Sequence, residues 1–483
     1  MAEWETVIGL ECHVELNTQT KMFCGCRVEF GAQPNTNVCP VCLGHPGSLP
    51  VPNEEAIRRI VTIGLALGCT IAPHSLFHRK NYFYPDMPKN FQISQYDLPI
   101  CLGGHLDVDL PDGMTKSVGI TRVHMEEDTG KTTHGSASGR IHDADSALID
   151  YNRAGTPLVE CVSEPDIRSP EEAGAYIREL RATLEALDVS DVRMEEGSLR
   201  CDANVSLRPA GAQPFGTKVE IKNMNSIRSL ERALTYEMSR QQKALENGDA
   251  IVQETRHWDE DAGATKSMRS KEEAFDYRYF PEPDIPPLDP DPAWVQELRA
   301  ALPELPRARR ERYVREFDLK PVVADVLVGD RASTAMFEET LAVGADPRLA
   351  ANWITQDLAG LRNKASADTP NLITAQHITD LVALVAADTI SGQGAKQALE
   401  DAFSTGDPVA DIVERRGLTQ VSDTGALGTI IDQVLAENAK VAEQFRSGKQ
   451  EVIGFLVGQV MKGSGGSANP KLAQELLRER LNG

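Results

Sequence analysis

Alternation of apolar and polar residues is clearest between Val7 and Leu16. With a period of two, Leu10, Cys12, Val14 and Leu16 fall on one face and Glu11, His13 and Glu15 on the other. The pattern predicts a half-buried strand over 5–16. Similar runs predict strands over 118–127, 147–151, 157–162, 201–208 and 217–222, set among Gly, Pro and Asn turns. Two helices interrupt them. Ser169-Pro170-Glu171-Glu172 reads as an N-cap with proline at the first helical position and a capping-box glutamate. Tyr176, Ile177, Leu180, Leu184 and Leu187 then recur at helical spacing. After Ser226, the residues Ile227, Leu230, Leu234 and Met238 repeat that spacing until about Gly248.

The proline-dense stretch from Phe280 to Pro292 can continue neither helix nor sheet, and predicts a domain boundary. Beyond it nearly every segment reads as helix. A second break falls between Ser404 and Pro408. Helices are then expected at about 424–446, 450–462 and 470–481, the last capped by Asn469 with Pro470 behind it. The expectation is an α+β protein: a mixed β-sheet domain over 1–292, a helical domain over 293–406 and a helical tail over 407–483.

A chain of 483 residues exceeds what one core usually supports, which agrees with that division. No apolar run approaches the roughly 20 residues of a membrane span. The first residues are acidic where a targeting signal would be basic, so a cytoplasmic location is expected. A net charge of −22 argues against non-specific nucleic-acid binding through a general basic field. The tail from Asp407 onward is nearly neutral, and would be the less repelling surface for a nucleic acid.

Nine cysteines favour metal ligands and buried thiols over a disulfide framework. Cys24 and Cys26, followed by Cys39 and Cys42, form two close thiol pairs joined by a short loop. Each pair can span an edge of a tetrahedron, so a structural zinc site is predicted. The other five cysteines sit in apolar contexts and read as core. Glu11 and His13 on one strand, Glu126 or Glu127 at the end of another, and Glu160 between apolar neighbours are candidates for a second, oxygen-rich site. Such a donor set favours Mg²⁺ or Mn²⁺ and phosphate chemistry. A solvated strand face is the alternative. Lys80, Lys89, Lys218 and Lys222 could neutralise phosphate oxygens, or could belong to ordinary salt bridges. No phosphate-binding P-loop, dinucleotide fingerprint or nucleophile elbow is found.

Long runs carry a more specific signal: Glu5-Thr-Val-Ile-Gly-Leu-Glu-Cys-His-Val-Glu15, Arg79-Lys-Asn-Tyr-Phe-Tyr-Pro-Asp86, Ile120-Thr-Arg-Val-His-Met-Glu-Glu-Asp128 and Gly155-Thr-Pro-Leu-Val-Glu160. Further runs lie at Met194–Asn204, Lys218–Asn223 and Asp276–Ile285. Over essentially its whole length the chain resembles the GatB family, the B subunits of aspartyl/glutamyl-tRNA(Asn/Gln) amidotransferases.

The resemblance implies a cradle-shaped domain followed by a helical domain and a YqeY-like tail that recognises tRNA. It implies phosphorylation by ATP and Mg²⁺ of the side-chain carboxylate of Glu-tRNA(Gln) or Asp-tRNA(Asn). Ammonia from glutamine, released by an amidase A subunit, then displaces phosphate, while a small C subunit holds the pair together. A non-discriminating synthetase is a further implied partner. By the same resemblance Glu11, His13, Glu127 and Glu160 would hold Mg²⁺, with Lys80 and Lys89 beside the reacting groups. Lys218, Glu220, Lys222 and Asn204 are the expected nucleotide contacts, and Glu15 is left as a surface residue. The competing readings are a zinc metallohydrolase using Glu11, His13 and Glu160, and a zinc-knuckle RNA-binding adaptor without catalysis.

Overall fold

The computed structural model describes residues 3–135, 146–270, 277–366, 369, 371–420, 424–464 and 468–482. Two compact units divide the chain, Met1–Arg307 and Ala308–Gly483.

Along the first unit run β1 (Trp4–Glu15), β2 (Thr70–Ile71), β3 (His78–Asn81), β4 (Phe91–Ser94), β5 (Cys101–Leu102), β6 (His105–Asp109) and β7 (Thr115–Glu127). Then come β8 (Lys131–His134), β9 (Ala147–Asp150), β10 (Pro157–Ser163), β11 (Leu199–Pro209), β12 (Val219–Lys222), β13 (Glu254–Asp259), β14 (Ala264–Ser270) and β15 (Phe280–Pro281). A 10-stranded sheet has the order β14-β13-β12-β11-β1-β10-β7-β5-β2, with β6 also paired to β7. Its β12–β13 pairing is parallel and its other pairings antiparallel, so the sheet is mixed. The short strands β15, β3 and β4 form a separate three-stranded sheet.

Period-two patterning is obeyed where it was clearest. Along β1, Leu10, Cys12 and Val14 are buried while Glu11, His13 and Glu15 are partly open. The apolar face continues through Val123, Met125, Val159, Cys161, Leu199 and Cys201. Helices α1 (Glu54–Ala66), α2 (Pro170–Ala186) and α3 (Ile227–Glu246) contribute to the same core through Ile60, Tyr176, Leu180 and Leu234. Full burial of each large aliphatic side chain contributes roughly 1.5–3 kcal/mol. Gly64 on α1 leaves room for Cys101 of β5, where a Cβ would collide with the sulfur.

The caps follow the sequence closely. Ser169 accepts from Glu172 N at 3.2 Å, and Pro170 opens α2. Glu172 accepts from the N–H of Arg168 rather than closing a capping box on Ser169. Ser226 caps α3 through Ser229 N at 3.0 Å.

The second unit is helical and holds two hydrophobic clusters. One spans Tyr313 to Val413 and includes Val409, Ile412 and Val413 of the helix Val409–Arg416. The other spans Leu427 to Leu481. The single helix expected at 424–446 is two, Thr424–Glu437 and Ala439–Arg446. Asn438 divides them with a non-helical backbone (φ −119°), its side-chain amide donating to Val434 O at 2.9 Å. Asparagine offers the backbone such a local alternative to helix, which apolar periodicity does not register. The final helix, Pro470–Asn482, begins as expected on Asn469, whose side chain accepts from Lys471 N at 2.9 Å. Among the described residues no helix is long and apolar enough to cross a membrane.

Candidate active site

Strand register assembles the site. In antiparallel pairs, directly opposite residues project from the same face. Pairing of β11 with β1, β1 with β10 and β10 with β7 puts Arg200, His13, Glu160 and His124 in one row. On one side lies the row Asp202, Glu11, Val162 and Arg122; on the other, Glu15, Leu158 and Glu126. Four segments far apart in sequence thus deliver their polar residues to one patch.

At its centre, one ligand atom each from His13, Glu126 and Glu160 lies within 4.8 Å of the others. His124 Nε2 lies 3.0 Å from Glu160 Oε2 and 3.3 Å from Glu126 Oε1, and His13 Nε2 lies 4.0 Å from Glu160 Oε2. Ser94 Oγ donates to Glu126 at 2.8 Å and Gln92 Nε2 at 3.1 Å. Only 9% of Glu160 and 4% of Glu126 are exposed, so both carboxylates need these partners. Burial, the largest single influence, would raise their pKa values, but His124 together with Lys80, and His13 in the case of Glu160, outweighs it and both are held below the ordinary carboxylate range. Burial works against a charge on His124 in turn, but Glu160 and Glu126 raise its pKa to about 9. Burial likewise opposes the Lys80 ammonium, and Glu126 leads the groups that keep it charged. Lys80 Nζ rests 5.0 Å above the Tyr277 ring.

These groups open on a cavity of about 500 Å³. Glu11 also lines it, outside the trio, accepting from Asn204 Nδ2 at 2.8 Å. Lys222 lines it too, paired with Asp202 and 3.4 Å from Glu220 Oε1, while Glu220 accepts from Thr255 Oγ1 at 2.7 Å. Tyr82, Tyr84, Tyr96, Tyr277 and Tyr279 form one wall. Lys218 precedes β12, is exposed and lines neither this cavity nor the next; the strand expected from 217 begins at Val219.

Glu127 requires a correction. It does not join His13 and Glu160; Glu126 does. Alternation along β7 turns the Glu127 side chain to the other face. There it pairs with Lys89 and accepts from Ile93 N at 2.9 Å. Both line a second cavity of about 250 Å³ with Cys24 and Cys42, so Lys89 and Lys80 belong to different cavities. Glu15 is not simply surface either. Burial, and then Asp128, raise its pKa to about 8, and Asp128 is held by Arg200 at 2.9 Å and Arg153 at 3.7 Å.

The sulfurs of Cys24, Cys26, Cys39 and Cys42 lie within 4.8 Å of one another, a set that suits a tetrahedral metal. Lys21, fully buried, sets Nζ 3.6 Å from Cys42 Sγ and 3.2 Å from Tyr151 O. A hydrogen bond from Cys24 lowers the Cys42 pKa to about 4 despite burial, with Lys21 contributing. The remaining cysteines are buried thiols, as expected. Sequence pattern does not single out Lys21, Arg122 or the tyrosine wall. The alternation of cations with aromatics from His78 to Tyr84 is the only signal for the wall.

Clustered carboxylates, imidazoles and ammonium groups at the floor of a cavity on a rigid mixed sheet define a catalytic domain. A family model described as the GatB/GatE catalytic domain matches residues 6–296, and one described as a GatB domain matches 335–481. The chain belongs to the GatB family. It is 53% identical over 482 residues to the B subunit of the aspartyl/glutamyl-tRNA(Asn/Gln) amidotransferase of Moorella thermoacetica, covering 99% of this chain and 100% of that one. The B subunits from Carboxydothermus hydrogenoformans and Rippkaea orientalis are 51% and 50% identical, each match covering 100% of this chain and 99% and 98% of theirs. The metallohydrolase and adaptor readings find no such support.

Proposed function

We propose that this protein is the component of a glutamine-dependent tRNA amidotransferase that activates and amidates the side-chain carboxylate of Glu-tRNA(Gln) or Asp-tRNA(Asn). A carboxylate is a poor electrophile because its leaving group would be oxide. Transfer of the ATP γ-phosphoryl group to it supplies a better leaving group, which ammonia then displaces. The observation that carries this reading is the His13–Glu126–Glu160 cluster at the cavity floor within the family's catalytic domain.

These three side chains offer two carboxylates and an imidazole, a set suited to Mg²⁺. A bound ion would offset charge on phosphate oxygens. His124 holds Glu126 and Glu160 in position, and Lys80, kept charged in the same cavity, would offset charge on the oxygens of the transferred group. Glu11, Lys222, Glu220 and Asn204 line or brace the side where the nucleotide would lie. Lys89 and Glu127 in the smaller cavity would belong to the path by which ammonia arrives. The four cysteines would hold a structural zinc, with Lys21 offsetting part of the charge of four thiolates.

The partners in this reading are an amidase A subunit, a small C subunit, the misacylated tRNA and the synthetase that charges it, all in the cytoplasm. The near-neutral helical tail would contact tRNA by its shape. Co-purification with the A and C subunits followed by an ADP-release assay tests the proposal. ADP should form only when misacylated tRNA is present. Release at the same rate without tRNA would refute it.

A further inference from the structure

Arg122 is the cation of the cavity that the proposed mechanism does not use. It projects from β7 on the same face as His124 and Glu126, opposite Val162, and lines the main cavity. Two residues along a strand is a step of roughly 7 Å, so its guanidinium is rooted beside the cluster and not within it. Its Nε is buried with no hydrogen-bond partner, and among the described residues its guanidinium makes no ion pair.

Several buried or half-buried arginines of this unit are paired with carboxylates. Arg79 forks Glu282 at 2.6 and 2.8 Å, and Arg200 and Arg153 share Asp128. Lys222 in the same cavity is matched by Asp202 and Glu220. Holding a partly buried guanidinium without a counter-ion is costly for the folded chain. The chemistry proposed above also brings anions towards Glu126 and Glu160, which repel them. An uncommitted planar fork beside those carboxylates meets that need, because guanidinium binds carboxylate and phosphate oxygens in bidentate fashion.

We infer that Arg122 is a substrate-binding residue that grips an oxyanion next to the His13–Glu126–Glu160 cluster. The oxyanion is either the carboxylate to be activated or a phosphate of the nucleotide. The inference rests on the reading of the site given above.

The test uses the assembled enzyme and its R122Q, R122K and R122M variants. ADP formation is followed while ATP and misacylated tRNA are varied in turn, and the complex is titrated directly with each. In R122Q the KM and Kd for one of the two should rise at least ten-fold, with partial rescue in R122K, which keeps the charge but loses the fork. A rise for ATP assigns the phosphate; a rise for aminoacyl-tRNA assigns the carboxylate. R122M should melt no lower than wild type, since it removes an unpaired cation. Values for both ligands within two-fold of wild type in R122Q would overturn the inference. So would a lower melting temperature in R122M with kcat reduced and both KM values unchanged, the mark of a structural arginine. Absence of tRNA-dependent ADP release in wild type would instead refute the proposed function, while the titrations would still report on Arg122.

Discussion

Glu126 and Glu127 are neighbours in sequence that the sheet sends to opposite faces, so replacing each with glutamine should give opposite phenotypes. In E127Q the Lys89 ammonium loses its carboxylate at a site where 7% and 3% of the two side chains are exposed. Removing one partner of a buried pair costs about 3–5 kcal/mol. Two features favour the lower end of that range. Glutamine can still accept from Ile93 N, now 2.9 Å from Glu127 Oε1. The ammonium also lies 5.3 Å from the Phe91 ring centroid and 5.9 Å from that of Phe23, contacts worth about 0.5–1 kcal/mol each. A loss of about 3 kcal/mol in a unit running from Met1 to Arg307 lowers Tm by roughly 5 °C. The K89M/E127L double variant, which removes both charges, should recover most of that loss.

E126Q removes one of two carboxylates facing His124, and Glu160 at 3.0 Å continues to hold the imidazole. Its stability should therefore change less than that of E127Q, whereas tRNA-dependent ADP formation should fall by at least about 100-fold, the upper end of the loss seen when a residue that merely supports a metal ligand is removed. Thermal melting and the ADP assay on the assembled enzyme measure both. Full turnover by E126Q, or an E127Q variant as stable as wild type, would refute the assignment of the two glutamates to different faces and tasks.

Zinc analysis of the purified protein should find one ion per chain, lost in C42A together with thermal stability. Because Lys21 then faces no thiolate, adding K21M should restore part of that stability, and a further loss would contradict the charge pairing. Truncation after Gln420 keeps Val409, Ile412 and Val413 in their core. The shortened chain should fold and support glutamine hydrolysis in the complex, but bind tRNA more weakly; unchanged tRNA affinity would remove the tail from recognition. Burial pushes the Glu254 carboxyl up, but Ser267 and Arg256 outweigh it and hold its pKa below the ordinary 4.5. A lowered pKa contributes stability above the unfolded value and loses it as pH falls through the folded one. The melting difference between wild type and E254Q should therefore shrink on acidification below pH 4.5, and a widening gap would reverse the sign of the argument.

Local chemistry made much of this protein legible in its sequence. Period-two alternation fixed the faces of β1, and serine or asparagine before proline fixed the starts of α2 and the last helix, because such signals act over a few residues. The spacing of four cysteines predicted their cluster, since a short loop leaves thiols few other arrangements. Glu11 and His13 could be singled out on the polar face of a strand, and Glu160 as a carboxylate costly to bury without a partner, but none could be assigned its neighbours. That depended on the registers of β1 with β10 and of β10 with β7, which bring His13, Glu160 and His124 into one row. A slip of one residue would have sent each side chain to the other face. Register and alternation also chose Glu126 over Glu127 and left Arg122 without a counter-ion, while the turn between β3 and β4 carries Lys89 to a different cavity from Lys80. Those outcomes follow from the pairing of segments distant in sequence, and tertiary structure alone decided them.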